Sequence, residues 1–136
     1  MSLTGIAEII ITHQDRVLLV QQRKSNVYGK WGFPGGHVEE NESTEEALVR
    51  EVKEELDTNI SATGLQKIAH KEDSSDEGEL IVSTFFLSTD LLFPKLQAKE
   101  LIGFGWFTFD EFRKMSASLR SPWMIEIFEQ LNSAAS

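Results

Sequence analysis

Residues 43–56, "STEEALVREVKEEL", dictate more of this chain's fold than any other segment. Ser43 and Glu46 stand in S-x-x-E spacing, the reciprocal arrangement that starts an α-helix. Leu48, Val49, Val52 and Leu56 then recur on one stripe, so a helix over 44–57 has a face to bury. Place Glu51 at zero on a helical wheel and advance about 100° per residue. Glu54 then falls near ~300° and Glu55 near ~40°, with Leu48, Val52 and Leu56 between ~60° and ~140°. The three carboxylates share one arc directly beside the buried stripe.

That arc carries a local cost. Like charges at i,i+3 and i,i+4 destabilise a helix by a few tenths of a kcal/mol per pair, roughly. Glu54, Glu55 and Asp57 also crowd the helix C-terminus, where the macrodipole disfavours anions. Arg50 is placed to pair with Glu54, while Lys53 points away from Glu51. A divalent cation would relieve the rest, and an all-oxygen set of ligands suits Mg²⁺, Mn²⁺ or Ca²⁺. The plain alternative is a solvated charged face. Just upstream, "FPGG" at 33–36 joins a residue of fixed φ to two that accept positive φ. It predicts a sharp turn where a backbone carbonyl meets a cation with no Cβ in the way. An ordinary tight turn is the alternative there.

The flanking pattern predicts strands at 4–12 and 16–22 around "HQD", then a polar loop at 23–30. An extended segment at 31–39 is broken by Pro34-Gly35-Gly36. Further strands are expected near 61–70, 80–88 and 104–109, with an acidic turn at 74–79. "DEFRKM" reads as a short helix. Residues 121–132 read as a terminal helix with Ser121 as N-cap and Pro122 in its first turn. The order predicts one α/β or α+β domain over 1–136, a mixed sheet with helices on both faces.

Charge narrows the partners. The chain has 22 acidic against 13 basic residues, a net charge of -9, which argues against a nucleic-acid polymer. A small phosphorylated ligand is still admissible if local cations or a bound metal offset the repulsion. No cysteine is present, so disulfides, zinc thiolates and thiol nucleophiles are excluded. No apolar run approaches the ~20 residues of a membrane span and no signal peptide is visible. The expectation is a cytoplasmic protein with no membrane partner.

Gly36, Glu42, Arg50, Glu51, Val52, Glu54 and Glu55 together resemble the Nudix box, G-x5-E-x7-R-E-U-x-E-E-x-G-U with U a bulky aliphatic residue, over 36–58. Asp57 and Thr58 depart from it, at its glycine and its last aliphatic position, which bears on the helix exit. "WGFPGG" and the strand order also look like MutT-type members. The resemblance implies an α/β/α sandwich with a loop-helix-loop motif. It further implies metal-dependent hydrolysis of a nucleoside diphosphate linked to a group X. Glu51, Glu54 and Glu55, with the Gly36 carbonyl, would bind Mg²⁺ or Mn²⁺, with Glu42 and Arg50 bracing loop and helix. Glu54 is the first choice for general base and Glu51 the second; Glu100, just before a strand, is a further acidic candidate.

Arg23, Lys24 and Lys30 are placed to meet distal phosphates. Tyr28, Phe33 and Phe86 are candidates for stacking a base. Trp123 falls where some MutT-like proteins line the base pocket. The paired aspartates that read oxidised guanine in one such group are absent from "SPWMIE". The proline that follows the box in many ADP-ribose hydrolases is missing. The remaining expectation is a nucleoside triphosphate pyrophosphohydrolase releasing a monophosphate and pyrophosphate. The alternative is a non-catalytic nucleotide-binding module. The ligand is a nucleotide or nucleoside diphosphate derivative; homodimerisation stays open.

Overall fold

The computed structural model describes residues 3–74, 80–88, 94–95, 101–121 and 123–135. Strands β1 (Leu3–His13) and β2 (Arg16–Gln22) form the first hairpin. Its two loop residues, Gln14 and Asp15, have φ 50° and 60°. Two consecutive positive φ values let the loop twist match the strands it joins. β1 is the spine of a mixed sheet. It runs parallel to β6 (Leu80–Ser88) and antiparallel to the short β4 (Gly35–His37). β5 (Gln66–Ser74) adds antiparallel to β6, while β2 holds β3 (Trp31–Gly32) and β7 (Leu101–Thr108).

Alternation along the strands divides the core into two layers. Ile9, Ile11, Leu18, Val20 and Phe86 pack against Ala47, Leu48, Val52 and Leu56 of helix α1 (Thr44–Leu56). On the opposite face Ile10, Val17, Leu19, Phe33 and Phe85 meet Phe112 of α2 (Phe109–Arg113). Met124, Ile127 and Phe128 of α3 (Trp123–Ala135) join them there. Edge-on aromatic contacts bind this second layer, with Phe112 and Phe128 centroids 5.1 Å apart. The result is the expected α/β/α sandwich. No helix among the described residues is long and apolar enough to cross a membrane.

Several boundaries move. β5 starts later than expected because residues 62–64 form a 3-10 turn, and β7 begins at Leu101. Pro34, which cannot donate to a ladder, separates β3 from β4. The α1 capping box is complete: Ser43 Oγ accepts from Glu46 N at 3.0 Å and Glu46 Oε1 accepts from Ser43 N at 2.9 Å. At the helix exit Asp57 takes φ 48°, ψ 40°. That is the left-handed conformation a glycine would take, and Asp is among the few other residues that tolerate it. Its N–H donates to Lys53 O, and Lys53 Nζ reaches its carboxylate at 2.7 Å. Ser121 does not cap α3. Its carbonyl accepts from Met124 N, while its buried hydroxyl makes no hydrogen bond among the described residues. Pro122, and 75–79 of the expected acidic turn, lie outside the described residues.

Candidate active site

Two adjacent glycines let helix α1 close onto β1. Gly35 has φ 145°, and a Cβ there would sit 2.0 Å from the Ala7 carbonyl oxygen. Only glycine fits so close a backbone approach. Its N–H donates to Glu55 Oε1 at 3.0 Å, which is how a carboxylate only 4% exposed finds a partner. A Cβ on Gly36 would lie 2.5 Å from Glu51 Cδ. The space a side chain would fill at that turn holds the Glu51 carboxylate instead.

Arg50 knits the turn to the helix. Its Nε and Nη2 donate to the two oxygens of Glu42 at 2.9 and 3.0 Å, a bidentate pair. Nη1 reaches Glu51 Oε1 at 2.9 Å and Glu54 Oε2 at 3.3 Å, and Nη2 donates to the His37 carbonyl at 2.9 Å. This arginine therefore offsets more of the acidic arc than its i,i+4 partner alone. The Arg50 hydrogen bonds, aided by the Glu39 N–H, pull the Glu42 carboxyl down to about 2. The carboxylates in turn hold the Arg50 guanidinium above its ordinary value, Glu42 most strongly.

The glycine turn and the helix carboxylates Glu51 and Glu55 line one side of a cleft of about 760 Å³. Gly36, Glu51, Glu55, Arg23, Lys24 and Trp123 all reach it. Glu54 does not. Its side chain is 46% exposed and joins the site through Arg50. Lys30 is also elsewhere, donating to the Ala117 carbonyl at 2.6 Å. Phe33 is corrected from base platform to core: it is fully buried, with its ring against Phe85 and Phe112. Phe86 is core as well, and Tyr28 is exposed outside the cleft. Glu100 lies outside the described residues.

The inner floor of the cleft went unread in the sequence. Arg120 Nη2 donates to Glu8 Oε1, a contact between residues 112 apart. Glu8 is 4% exposed. Burial raises its pKa, and the charge and hydrogen bond of Arg120 oppose that rise. Gln22 and Ser121 lie beside the pair. The signal was a single glutamate inside the otherwise apolar run "IAEIII", which no solvated strand face requires.

The donor set suits a hard cation. Glu51 and Glu55 bring carboxylate oxygens to the cleft, and the missing Cβ of Gly36 leaves the Glu51 carboxylate room. Among the described residues no three acidic or histidine side chains converge as a ready-made cluster, and Arg50 now satisfies Glu51.

Fold and site together define a class: an α/β/α hydrolase whose carboxylate helix is closed onto a glycine turn. Residues 3–131 match the NUDIX domain, and the chain belongs to that family as a MutT-like member. It is 38% identical over 86 residues to the 8-oxo-dGTP diphosphatase of Proteus vulgaris, covering 62% of this chain and 73% of that protein. It is 33% identical over 89 residues to the ADP-ribose pyrophosphatase of Methanocaldococcus jannaschii, covering 65% of this chain and 52% of the relative. Four other matching relatives are spanned over only 14–16% of their length. The solution structure of the E. coli ORF135 protein is 28% identical with a TM-score of 0.79, covering 98% of this chain and 94% of that one.

Proposed function

We propose that the chain hydrolyses the α–β phosphoanhydride of a nucleoside triphosphate, releasing a nucleoside monophosphate and pyrophosphate. The observation that carries this reading is the Glu51 carboxylate seated over Gly36, in a cleft that also presents Arg23, Lys24 and Trp123. A phosphoanhydride resists attack because its own charge repels the nucleophile. Glu51, Glu55 and the Gly36 backbone would hold Mg²⁺ or Mn²⁺, which would supply charge neutralisation and a more acidic water. Arg23 and Lys24 bind the distal phosphates, and Trp123 stacks on the base. Water forms the new O–P bond as the α–β bridge breaks, and the displaced phosphate leaves with the electron pair. A glutamate at the cleft takes the proton from that water. Its position in the lining favours Glu51 in this role over the rim residue Glu54, which acts through Arg50.

The test is a substrate panel of canonical and oxidised (d)NTPs, dinucleoside polyphosphates, NDP-sugars and ADP-ribose, with Mg²⁺ or Mn²⁺ and products identified by mass. ADP-ribose belongs there because one relative is named for it. Glu51→Gln should lower kcat by roughly a hundredfold or more, as loss of a positioned base does. Unchanged turnover in that variant sinks the assignment. Saturable nucleotide binding without phosphate release from any substrate would instead identify a binding module.

A further inference from the structure

Two long strands, β5 and β7, border the sheet, and they are built in opposite ways. Among the described residues β5 pairs only with β6 and β7 only with β2, so each presents one unpaired edge. An open edge is a row of backbone donors and acceptors ready to pair with another chain, and charge or a bulge commonly blunts it. β5 has both. Lys67, Lys71, Glu72 and Asp73 stand along it, and its ladder to β6 shifts register between Lys67 and Ala69. β7 reads LIGFGWFT, eight residues with no charge and no proline. Its ladder to β2 is regular from Gly103 to Thr108 and shifts only beyond Gly103.

Gly103 marks what that edge lacks. A Cβ there would meet only Gln21 Oε1, at an ordinary 3.7 Å, so the chain's own packing leaves room for a side chain. Glycine inside a strand weakens it, and one remedy is an aromatic ring on the neighbouring strand. Gly105 has such cover from its own chain, since the Phe107 ring would lie 3.2 Å from a Cβ. Among the described residues Gly103 has none.

We propose that β7 pairs antiparallel with β7 of a second copy about a two-fold axis at Gly105, joining the two sheets edge to edge. In that register Gly103 stands opposite the partner's Phe107 and Phe104 opposite the partner's Trp106, and the two-fold repeats both contacts. The faces agree: Phe104 and Trp106 pack towards the α1 layer and Phe107 towards the other. An axis at Phe104 would instead set Gly103 against Gly105 and leave the gap unfilled. Charge supports a second copy as the occupant. Two chains of net charge -9 repel each other, yet residues 101–109 hold no charged side chain. The antiparallel order also brings the start of α2 to the Leu101 end of the partner strand. Asp110, with its side chain 86% exposed, stands at that start, and Arg23 donates to the Leu101 carbonyl at the other end at 3.3 Å. Opposite charges then meet at both ends of the ladder. The inference is independent of the nucleotide reading.

Sedimentation equilibrium over a wide concentration range reads the association directly. The wild-type protein should pass from monomer to dimer as concentration rises. Gly103→Asp adds a charge that a single copy accommodates and that the pairing buries against the partner's Phe107. It should raise the dimer dissociation constant by at least about tenfold, the scale of an unpaired buried charge. Thermal unfolding checks that the variant folds. The chain has no cysteine, so one introduced thiol reports the register. Under oxidation Gly105→Cys should link two chains once the Phe107 ring edge shifts to admit it. Residues opposed in an antiparallel pair have Cα atoms about 4.5–5.5 Å apart, within disulfide reach. Gly103→Cys should stay unlinked, since its two thiols lie roughly 13 Å apart along the strands. A protein that stays monomeric throughout overturns the proposal. So does a dimer that a folded Gly103→Asp variant leaves intact, one that Gly105→Cys fails to link, or one that Gly103→Cys links. Should the Asp variant misfold, the two cysteine variants decide.

Discussion

Arg50, which holds the cleft residue Glu51 from outside, and Arg120, in the cleft lining, are nearly equally exposed, at 24% and 22% of their side chains. Their partners nonetheless titrate in opposite directions. Glu42 beside Arg50 is held down to about 2, whereas Glu8 beside Arg120 is raised. Arg50 makes a fork of two bonds to Glu42, whose backbone neighbour Glu39 adds a third donor. Glu8 lies under the sheet face, and removal from water outweighs what one guanidinium returns. An ion pair is thus not a fixed quantity. Near solvent it secures a turn, and in the floor it joins two distant segments at a cost to the carboxylate's ionisation.

The largest expected effect tests the buried end. Arg120→Leu leaves Glu8 charged and unpaired, and should destabilise the fold by about 3 kcal/mol, the low end for breaking a buried pair because Arg120 keeps some contact with water. Glu8 is raised in the folded state, so its charge opposes folding once pH exceeds its unfolded value. The deficit of Arg120→Leu should therefore shrink as pH falls and Glu8 takes up a proton. The double variant Glu8→Leu/Arg120→Leu should return to within about 1 kcal/mol of wild type. Urea midpoints for the three proteins provide the check. A single variant as stable as the wild type would make the two arginines equivalent and end the contrast.

The turn end predicts the opposite acid response. Glu42 has its folded value lowered from 4.5 to about 2. Between those values the unfolded chain binds more protons than the folded one, so stability falls as pH falls. The contribution is fully present above the unfolded value and lost as pH drops through about 2. Glu42→Gln should flatten the loss of urea resistance seen between about pH 5 and about pH 2, by less than the Arg120 effect because the group lies near solvent. If acid sensitivity in that window is the same in both proteins, the fork from Arg50 does not act as described.

The two ends also differ in how far the chain itself announces them. Gly36, Arg50, Glu51 and Glu55 lie within 20 residues, where helical period and turn chemistry fix relative positions before any tertiary contact forms. The capped start of α1 was legible for the same reason, as was its apolar stripe except at Val49, which stays out of the core while Ala47 joins it. Glu8 and Arg120 meet only because β1 and the segment leading into α3 are brought together by the whole sandwich. No local rule relates positions so far apart. Phe33 fails in the other direction. Its place beside the glycine turn suggested a ligand contact, but the segment between β3 and β4 turns its ring into the core with Phe85 and Phe112. Glu54 shows the resolution of a helical wheel: it shares the arc of Glu51, yet an offset of one turn leaves it at the rim.

The smallest effect concerns the helix exit, where the chain departs from the box of its family. Asp57 occupies φ 48°, ψ 40°, and its carboxylate pairs with Lys53 at 2.7 Å. Asp57→Gly would remove the strain of a left-handed non-glycine residue. It would also lose an exposed i,i+4 pair worth about 0.3–0.5 kcal/mol and add unfolded-state entropy of a similar size, ~0.4–1 kcal/mol. These terms oppose each other, so the variant should stay within about 0.5 kcal/mol of wild type. Asp57→Val keeps the left-handed requirement with a β-branched side chain and should cost about 1–2 kcal/mol. Differential scanning of the three proteins reads both numbers. If glycine stabilised by well over 1 kcal/mol, Asp57 would be a strained compromise. Near-neutrality means that Asp57, through its own tolerance of positive φ and its bond to Lys53, ends the helix as the family's glycine does. The departure then leaves the placement of Glu51 and Glu55, six and two residues upstream, unaffected.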